Sequence, residues 1–260
     1  IDGSAAKLLK NRWWYNSMLI AMDFDGVVVD GVDECMLITW NVLHDKPLSD
    51  FNQDVLQNIP RLMAKRFRKL RNFVRHDGHF IASFTEFGNE AIDNDRFTAI
   101  YESIPTEDKK IFRDKFIHYR KLARSLYPDF WAELHRPLLD VSNLFETAND
   151  IYIVSGKDEE SILYILSKYG LNIPANKIYG RMTDKNKTLT LLKSIAFDKN
   201  EDILFIDDNI QNVIDALDHG IQSFWANWGY NIPEHKLMAL QKGINELDTE
   251  DLLKLVKKTS

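Results

Sequence analysis

Four short apolar runs constrain the fold of this chain more than any other feature of the sequence. They occupy residues 18–22, 151–154, 203–206 and 221–225, and runs of this length and content are typical of buried parallel strands. Helical patterns follow at 158–169, 187–196 and 209–219, and Gly170 and Gly220 stand where helix C-caps belong. The alternation of strand and helix predicts an α/β fold with a doubly wound parallel sheet.

The stretch between the first two apolar runs has a different pattern. It contains helical patterns at 34–44, 53–75 and 106–125, and no run typical of a buried strand. A segment this long is not an ordinary connection and needs a small core of its own. We therefore predict an inserted all-helical domain at 31–138 and an α/β core domain formed by 1–30 and 139–260.

Composition narrows the partners and the compartment that we expect. The formal net charge of −6 gives no global electrostatic reason to bind nucleic acid or a membrane. The single cysteine, Cys35, cannot form an intramolecular disulfide, which indicates a reducing setting. The uncharged stretch 13–22 is about half the length needed to cross a bilayer, and no secretory pattern precedes Asp23. We expect a cytoplasmic protein.

Polar residues follow three of the apolar runs directly. Asp23, Ser155 and the pair Asp207-Asp208 all stand at predicted strand ends. Taken singly, each could simply cap a turn or the next helix. In open α/β sheets, however, the carboxyl ends of the strands meet at one edge, where ligands bind. The sequence therefore predicts one shared site.

Several segments, in order along the chain, resemble the motifs of the haloacid dehalogenase-like (HAD) hydrolase superfamily. They are Asp23-Phe24-Asp25-Gly26-Val27, Ser155 after the second run, a lysine before a helix, and Asp207-Asp208-Asn209 after the third run. Trp228-Gly229-Tyr230 resembles a segment of the phosphoglycolate-phosphatase-like members. The resemblance covers 18–31 and roughly 138–232, and it implies a HAD-like core with a helical cap inserted between the first two motifs.

The resemblance also implies roles for individual residues. Asp23 is the nucleophile that forms an aspartyl-phosphate, and Asp25 is the general acid and base. Ser155, Gly156 and a lysine bind the phosphate; Lys187 fits the placement of this lysine better than the alternative, Lys185. A Mg²⁺ ion binds the carboxylates of Asp23 and Asp208 and the backbone carbonyl of Asp25.

The last motif departs from the usual pattern of the superfamily at two positions. Asp207 stands where glycine is usual, and Asn212 replaces a later acid. We expect Asp207 and Asn212 to contact the metal-binding residues rather than bind the metal, Asn212 as a neutral hydrogen-bond partner.

These residues predict a Mg²⁺-dependent phosphatase that hydrolyses a small phosphorylated metabolite. One alternative is a sugar phosphomutase of the same superfamily. Another is a catalytically idle HAD-like module that binds a protein or nucleic acid through the basic segment 61–75. Because apolar residues recur at helical spacing in that segment, we interpret it as an amphipathic helix with a solvated basic face.

Overall fold

A computed structural model of the chain describes residues 18–86, 92–140, 144–145, 150–181 and 184–257. The chain divides into two compact units. The core unit contains the residues up to Val29 and those from Pro137 onwards, and the helical unit is Asp30–Arg136. No described helix has the combination of length and apolar content that a bilayer span requires.

The strands form one large parallel sheet and one small sheet. In chain order they are β1 Met18–Met22, β2 Val29–Asp30, β3 Arg136–Pro137, β4 Asp150–Val154, β5 Ile178–Tyr179, β6 Asp202–Asp207, β7 Gln222–Ala226 and β8 Asn245–Leu247. Six of them pair in parallel in the order β5-β4-β1-β6-β7-β8, and β2 pairs with β3. This arrangement confirms the predicted α/β fold class.

The helices are divided between the two units. The helical unit holds α1 Val32–Leu43, α2 Gln53–Asn58, α3 Arg61–Leu70, α4 Asn94–Ser103, α5 Thr106–Leu126 and α6 Pro128–Glu133. The core unit holds α7 Glu159–Lys168, α8 Asn186–Asp198, α9 Ile210–Asp218, α10 Pro233–Lys242 and α11 Thr249–Lys257. Gly170 and Gly220 follow α7 and α9 with positive φ values of 75° and 68°, as helix-ending glycines do.

The core of the α/β unit lies on both faces of the sheet. Every residue of β1 is buried, so both of its faces are covered. On one face, Leu19 of β1 and Phe205 of β6 share a hydrophobic cluster with Leu189 and Leu192 of α8. This packing places the start of α8 beside the strands that end in aspartate.

The helical pattern predicted over 53–75 is not one continuous helix. Pro60 separates α2 from α3, because proline has no N–H to donate in a helix interior. Phe67 and Leu70 are buried while Arg61 and Lys65 are exposed, so α3 is amphipathic as predicted. The basic residues are not all solvated, however, since Arg71 is buried.

Two further arginines of this segment have partners within the helical unit. Arg66 donates to the backbone carbonyl of Phe84 at 3.1 Å. Arg68 forms a 2.5 Å ion pair with Asp33 at the start of α1. The solvated basic face is therefore smaller than the sequence pattern suggests.

A buried ion-pair network lies at the centre of the helical unit. The carboxylate of Glu34 on α1 has no exposed area and accepts hydrogen bonds from Arg120 on α5 at 2.7 and 3.2 Å. Trp131 of α6 donates its indole N–H to the same carboxylate at 3.1 Å, and Arg120 also pairs with Asp77 at 2.9 Å. Glu34 and Arg120 thus link three helices through charged groups that are satisfied inside the core.

Candidate active site

Parallel pairing brings the predicted polar residues to one edge of the sheet. Met22, the last residue of β1, lies opposite Ile153 of β4 and Ile206 of β6. The backbone N–H of Asp23 continues the ladder and donates to the carbonyl of Ile206 at 2.9 Å. Asp23, Ser155 and Asp207 therefore leave three adjacent strands at nearly the same level, as the sequence predicts.

Three carboxylates gather at this edge. Asp23, Asp207 and Asp208 each offer an oxygen, and these oxygens lie within 4.8 Å of one another. Their accessibility differs: the side chain of Asp23 is 13% exposed, whereas that of Asp207 is completely buried. Of these two, only Asp23 can meet a molecule that arrives from solvent.

A buried lysine lies between two of the carboxylates. The ammonium of Lys185 is 2.8 Å from Oδ2 of Asp23 and 2.6 Å from Oδ2 of Asp207. Burial alone lowers the pKa of Lys185, but the carboxylates of Asp207 and Asp23 outweigh it, and the pKa rises above its ordinary value. This environment favours the charged ammonium form of Lys185.

The structure places Lys185, the less favoured of the two candidate lysines, at the carboxylates. Lys187 lies in the first turn of α8 and is exposed. Lys185 precedes the helix, and its side chain turns to the strand ends. A difference of two residues rotates a side chain by about 200° around a helix, so the two lysines cannot share a direction. Lys185 is therefore the candidate lysine that contacts the carboxylates, and Lys187 is exposed on α8.

Asp207 is surrounded by hydrogen-bond donors. Its Oδ2 accepts from Lys185 and, at 3.0 Å, from the side-chain amide of Asn212. Its Oδ1 accepts from the backbone N–H of Asn209 at 2.8 Å. Burial raises the pKa of Asp207, an effect that the Lys185 ammonium opposes. The structure thus brings Asp207 and Asn212 into direct contact.

A second lysine, which the sequence analysis missed, stands beside Asp25. The ammonium of Lys157 is 3.4 Å from Oδ2 of Asp25, and the lysine side chain is almost fully buried. The backbone N–H of Lys157 lies 3.4 Å from Oγ of Ser155. The signal was present, because Lys157 follows the predicted Ser155-Gly156 pair directly. Position alone could not show that its side chain reaches Asp25 in the loop after β1.

Ser155 and Gly156 lie between β4 and the start of the next helix. Helix α7 begins at Glu159, and its N-cap is Asp158, whose side chain accepts from the backbone N–H of Ser161. Ser155 is buried, and its own N–H donates to the carbonyl of Tyr179 at 2.9 Å. The hydroxyl of Ser155 therefore has no capping role, and the positive end of α7 lies three residues further along.

The helix after β6 likewise has a cap of its own. The side-chain oxygen of Asn209 accepts from the backbone N–H groups of Gln211 and Asn212 at the start of α9. The cap of α9 is therefore Asn209 rather than Asp207 or Asp208.

Contacts on several sides hold Asp208 in place. Its Oδ2 accepts from the backbone N–H of Tyr230 at 2.7 Å, and its carbonyl accepts from the indole of Trp225 at 2.8 Å. Trp228 donates its indole N–H to the carbonyl of Val27 at 3.0 Å. Through these hydrogen bonds, the Trp228-Gly229-Tyr230 segment noted in the sequence links the loop after β1 to Asp208.

The donor set of this site suits a hard divalent cation. Carboxylate oxygens are the groups that Mg²⁺ and similar ions prefer, and neither histidine nor cysteine belongs to the cluster. Asp23 and Asp208 are the carboxylates best placed to hold such an ion. Asp207, the third, already has a donor at each of its oxygens.

Comparison with known proteins gives matches among solved structures. No family model and no curated protein matches the chain. A predicted phosphoglycolate phosphatase from Haemophilus somnus 129pt is 17% identical, with a TM-score of 0.56 over 93% of this chain and 98% of that one. A predicted phosphatase from Clostridium acetobutylicum is 15% identical, with a TM-score of 0.55 over 92% and 97%.

A third similar structure carries the superfamily name itself. The haloacid dehalogenase-like family hydrolase from Streptococcus pneumoniae is 14% identical, with a TM-score of 0.54 over 92% of this chain and 97% of that one. Similarity at these identities shows the fold, and this chain has the fold of the HAD-like hydrolases. The fold expected from the resemblance is confirmed over nearly the whole chain.

Proposed function

We propose that this protein is a HAD-like phosphatase that hydrolyses a small phosphomonoester with the help of Mg²⁺. The observation that carries the proposal is the setting of Asp23, a partly exposed carboxylate that shares one strand edge with the Lys185 ammonium and the Asp208 carboxylate. The fold shared with proteins described as phosphatases supports the same reaction class.

Asp23 is the nucleophile in this proposal. One of its carboxylate oxygens attacks phosphorus, the bond from phosphorus to the ester oxygen breaks, and the alcohol leaves. Water then attacks phosphorus and releases inorganic phosphate together with the regenerated carboxylate. Two displacements replace one difficult hydrolysis. The 2.6 Å hydrogen bond from the N–H of Phe24 to Oδ1 keeps the Asp23 carboxylate oriented.

Asp25 moves the protons in both steps. It gives a proton to the leaving ester oxygen and takes one from the attacking water. The residue lies two positions after Asp23, on the same side of the strand end. Its side chain is partly exposed, at 13%, and the Lys157 ammonium beside it fixes where the carboxylate points.

The positive groups of the site bind the phosphoryl group. Lys185 offers an ammonium next to the attacking carboxylate, and the Ser155 hydroxyl lies at the end of the neighbouring strand. Such preorganised donors stabilise the charge on the phosphoryl oxygens during transfer. When bound by Asp23, Asp208 and the Asp25 carbonyl, Mg²⁺ would screen the carboxylates from the anionic substrate and polarise the phosphoryl group.

We also propose that the helical unit serves as the cap domain of this enzyme, as the resemblance implies. The cytoplasmic location expected from the sequence stays a prediction.

The test is a phosphatase assay with p-nitrophenyl phosphate and a panel of phosphorylated sugars, nucleotides and short organic acids. Activity should require Mg²⁺, disappear with EDTA, and be lost in Asp23→Asn, which keeps the shape of the side chain but not its charge. Asp25→Asn should lower kcat by about 10²-fold or more through the loss of proton transfer.

Two outcomes would contradict the proposal. Phosphate release in the wild type no greater than in Asp23→Asn favours the idle binding module. Isomerised sugar phosphate in place of free phosphate favours the phosphomutase.

A further inference from the structure

The buried carboxylate of Asp207 accepts hydrogen bonds from three donors and has no exposed surface. Oδ2 receives the Lys185 ammonium at 2.6 Å and the Asn212 amide at 3.0 Å, and Oδ1 receives the Asn209 N–H at 2.8 Å. Both oxygens accept from donors, an arrangement that suits the ionised carboxylate. A buried negative charge so fully surrounded by donors cannot itself reach a substrate, so it acts through its neighbours.

Lys185 is the neighbour whose position depends most on Asp207. A lysine ammonium ends a flexible stem and presents a point charge with no preferred fork geometry, so a single partner leaves it several positions. With Asp207 and Asp23 both within 2.8 Å, the position of Nζ is defined from two sides. Of these anchors only Asp207 keeps its charge if Asp23 becomes an aspartyl-phosphate, as the proposed function requires.

The identity of residue 212 depends on the same carboxylate. Asn212 donates its amide N–H to the oxygen that also holds Lys185. An ionised acid at 212 could not donate, and it would place a second buried negative charge within hydrogen-bond distance of the first. Neutrality at 212 is thus a condition for the geometry around Asp207.

We propose that Asp207 is a positioning residue that holds the Lys185 ammonium against Asp23, and that Asn212 must remain neutral for Asp207 to do so. The inference rests on the proposed function only for the role of Lys185 in binding the phosphoryl group. The coupling between residues 207 and 212 is a property of the folded chain without substrate or metal.

A double-mutant cycle tests this proposal, with Asp207→Asn, Asn212→Asp, the double variant that carries both changes, and Asn212→Ala as the matched neutral control. The readouts are kcat and KM for p-nitrophenyl phosphate and the thermal midpoint of the metal-free protein. We expect Asn212→Asp to lower kcat and the midpoint more than Asn212→Ala does. The double variant again has one carboxylate. Its kcat should be about tenfold higher than the value expected if the two single changes acted independently, which corresponds to ~1.4 kcal/mol of coupling.

Positioning also predicts which kinetic constant changes. Asp207→Asn should act on kcat more than on KM, because the displaced ammonium matters most when charge develops in the transition state. Equal effects of Asn212→Asp and Asn212→Ala, or independent effects in the double variant, would overturn the proposal. If the wild type has no phosphatase activity, the proposed function fails, while the metal-free thermal cycle still decides whether residues 207 and 212 are coupled.

Discussion

A Cβ atom on Gly26 would lie 2.2 Å from Oδ2 of Asp208, far inside van der Waals contact. Gly229 approaches the same residue, and its Cβ would be 2.3 Å from Cβ of Asp208. The aspartate thus lies against two backbone segments that only glycine allows, which leaves its carboxylate little freedom to turn. Both glycines are part of the site because they have no side chain.

Replacing Gly26 by alanine should therefore weaken metal binding. The new methyl group must displace the Asp208 carboxylate, and disturbing the surroundings of a metal ligand typically costs about 10- to 100-fold in affinity or activity. We expect Gly26→Ala to lose Mg²⁺ affinity and kcat in that range. Calorimetric titration with Mg²⁺ and the phosphatase assay measure the two effects.

Gly170→Ala is the matched control for this change. Gly26 and Gly170 both have positive φ, 94° and 75°, so alanine is strained at either position. At Gly170, however, the added Cβ has no neighbour within 4 Å. That variant should lose about 1 kcal/mol of stability and keep its Mg²⁺ affinity. Unchanged affinity in Gly26→Ala would contradict the role of the close approach.

The two candidate lysines allow a direct comparison. Lys185→Met removes the buried ammonium next to Asp23, and we expect kcat to fall by about 10²-fold or more, because a preorganised charge is lost. Lys187→Met changes an exposed side chain in the first turn of α8 and should leave kcat within about twofold of the wild type. Steady-state kinetics decides between them, and a large loss in the Lys187 variant would contradict the choice of Lys185.

The longer strands of the sheet could be predicted from the sequence, whereas the shortest ones could not. Strands β1, β4, β6 and β7 were predicted within one residue at either end, because a buried parallel strand needs a continuous apolar run. The two-residue β5 and the three-residue β8 were missed, since elements so short leave no periodic pattern. The shared sheet edge at which Asp23, Ser155 and Asp207 lie could be predicted from the parallel topology alone.

The directions of side chains could not be obtained in this way. Whether Lys185 or Lys187 reaches Asp23 depends on the residue at which α8 begins, and helix ends are the least certain part of a sequence-based prediction. Lys157 and Trp225 contact Asp25 and Asp208 across the fold. Such contacts leave no local pattern in the sequence.

Lys157 is expected to act through Asp25. Lys157→Met removes the ammonium beside Asp25, the proposed general acid, and a misplaced catalytic group can cost about 10²-fold in rate. The double variant with Asp25→Asn should then be no slower than Asp25→Asn alone, because the two residues form one functional unit. Independent losses in the double variant, measured as kcat/KM, would show that Lys157 has another role.

The buried pair in the helical unit should control its stability. Arg120→Met leaves the Glu34 carboxylate buried with its ion partner gone, and breaking a buried ion pair in this way costs about 3–5 kcal/mol. Adding Glu34→Leu to that variant should recover part of the loss, because two apolar side chains need no partners. Lys115→Met, which breaks the exposed pair with Asp45, should change the unfolding midpoint in urea very little. An Arg120 variant as stable as the Lys115 variant would contradict the network.

Acid should destabilise the helical unit through His79. Burial and the neighbouring His76 lower the pKa of His79 from 6.5 to about 3, so the folded protein keeps the ring neutral while the unfolded chain protonates it. Its contribution to stability is complete above pH 6.5 and is lost as the pH falls from 6.5 towards 3, at about 1.4 kcal/mol per pH unit. Urea unfolding followed by circular dichroism at pH 7, 6 and 5 should show this slope, and His79→Leu should flatten it. His118→Gln, a change at an exposed position of α5, should leave the slope as it is, and a His79 variant with the wild-type slope would show that other groups cause the loss.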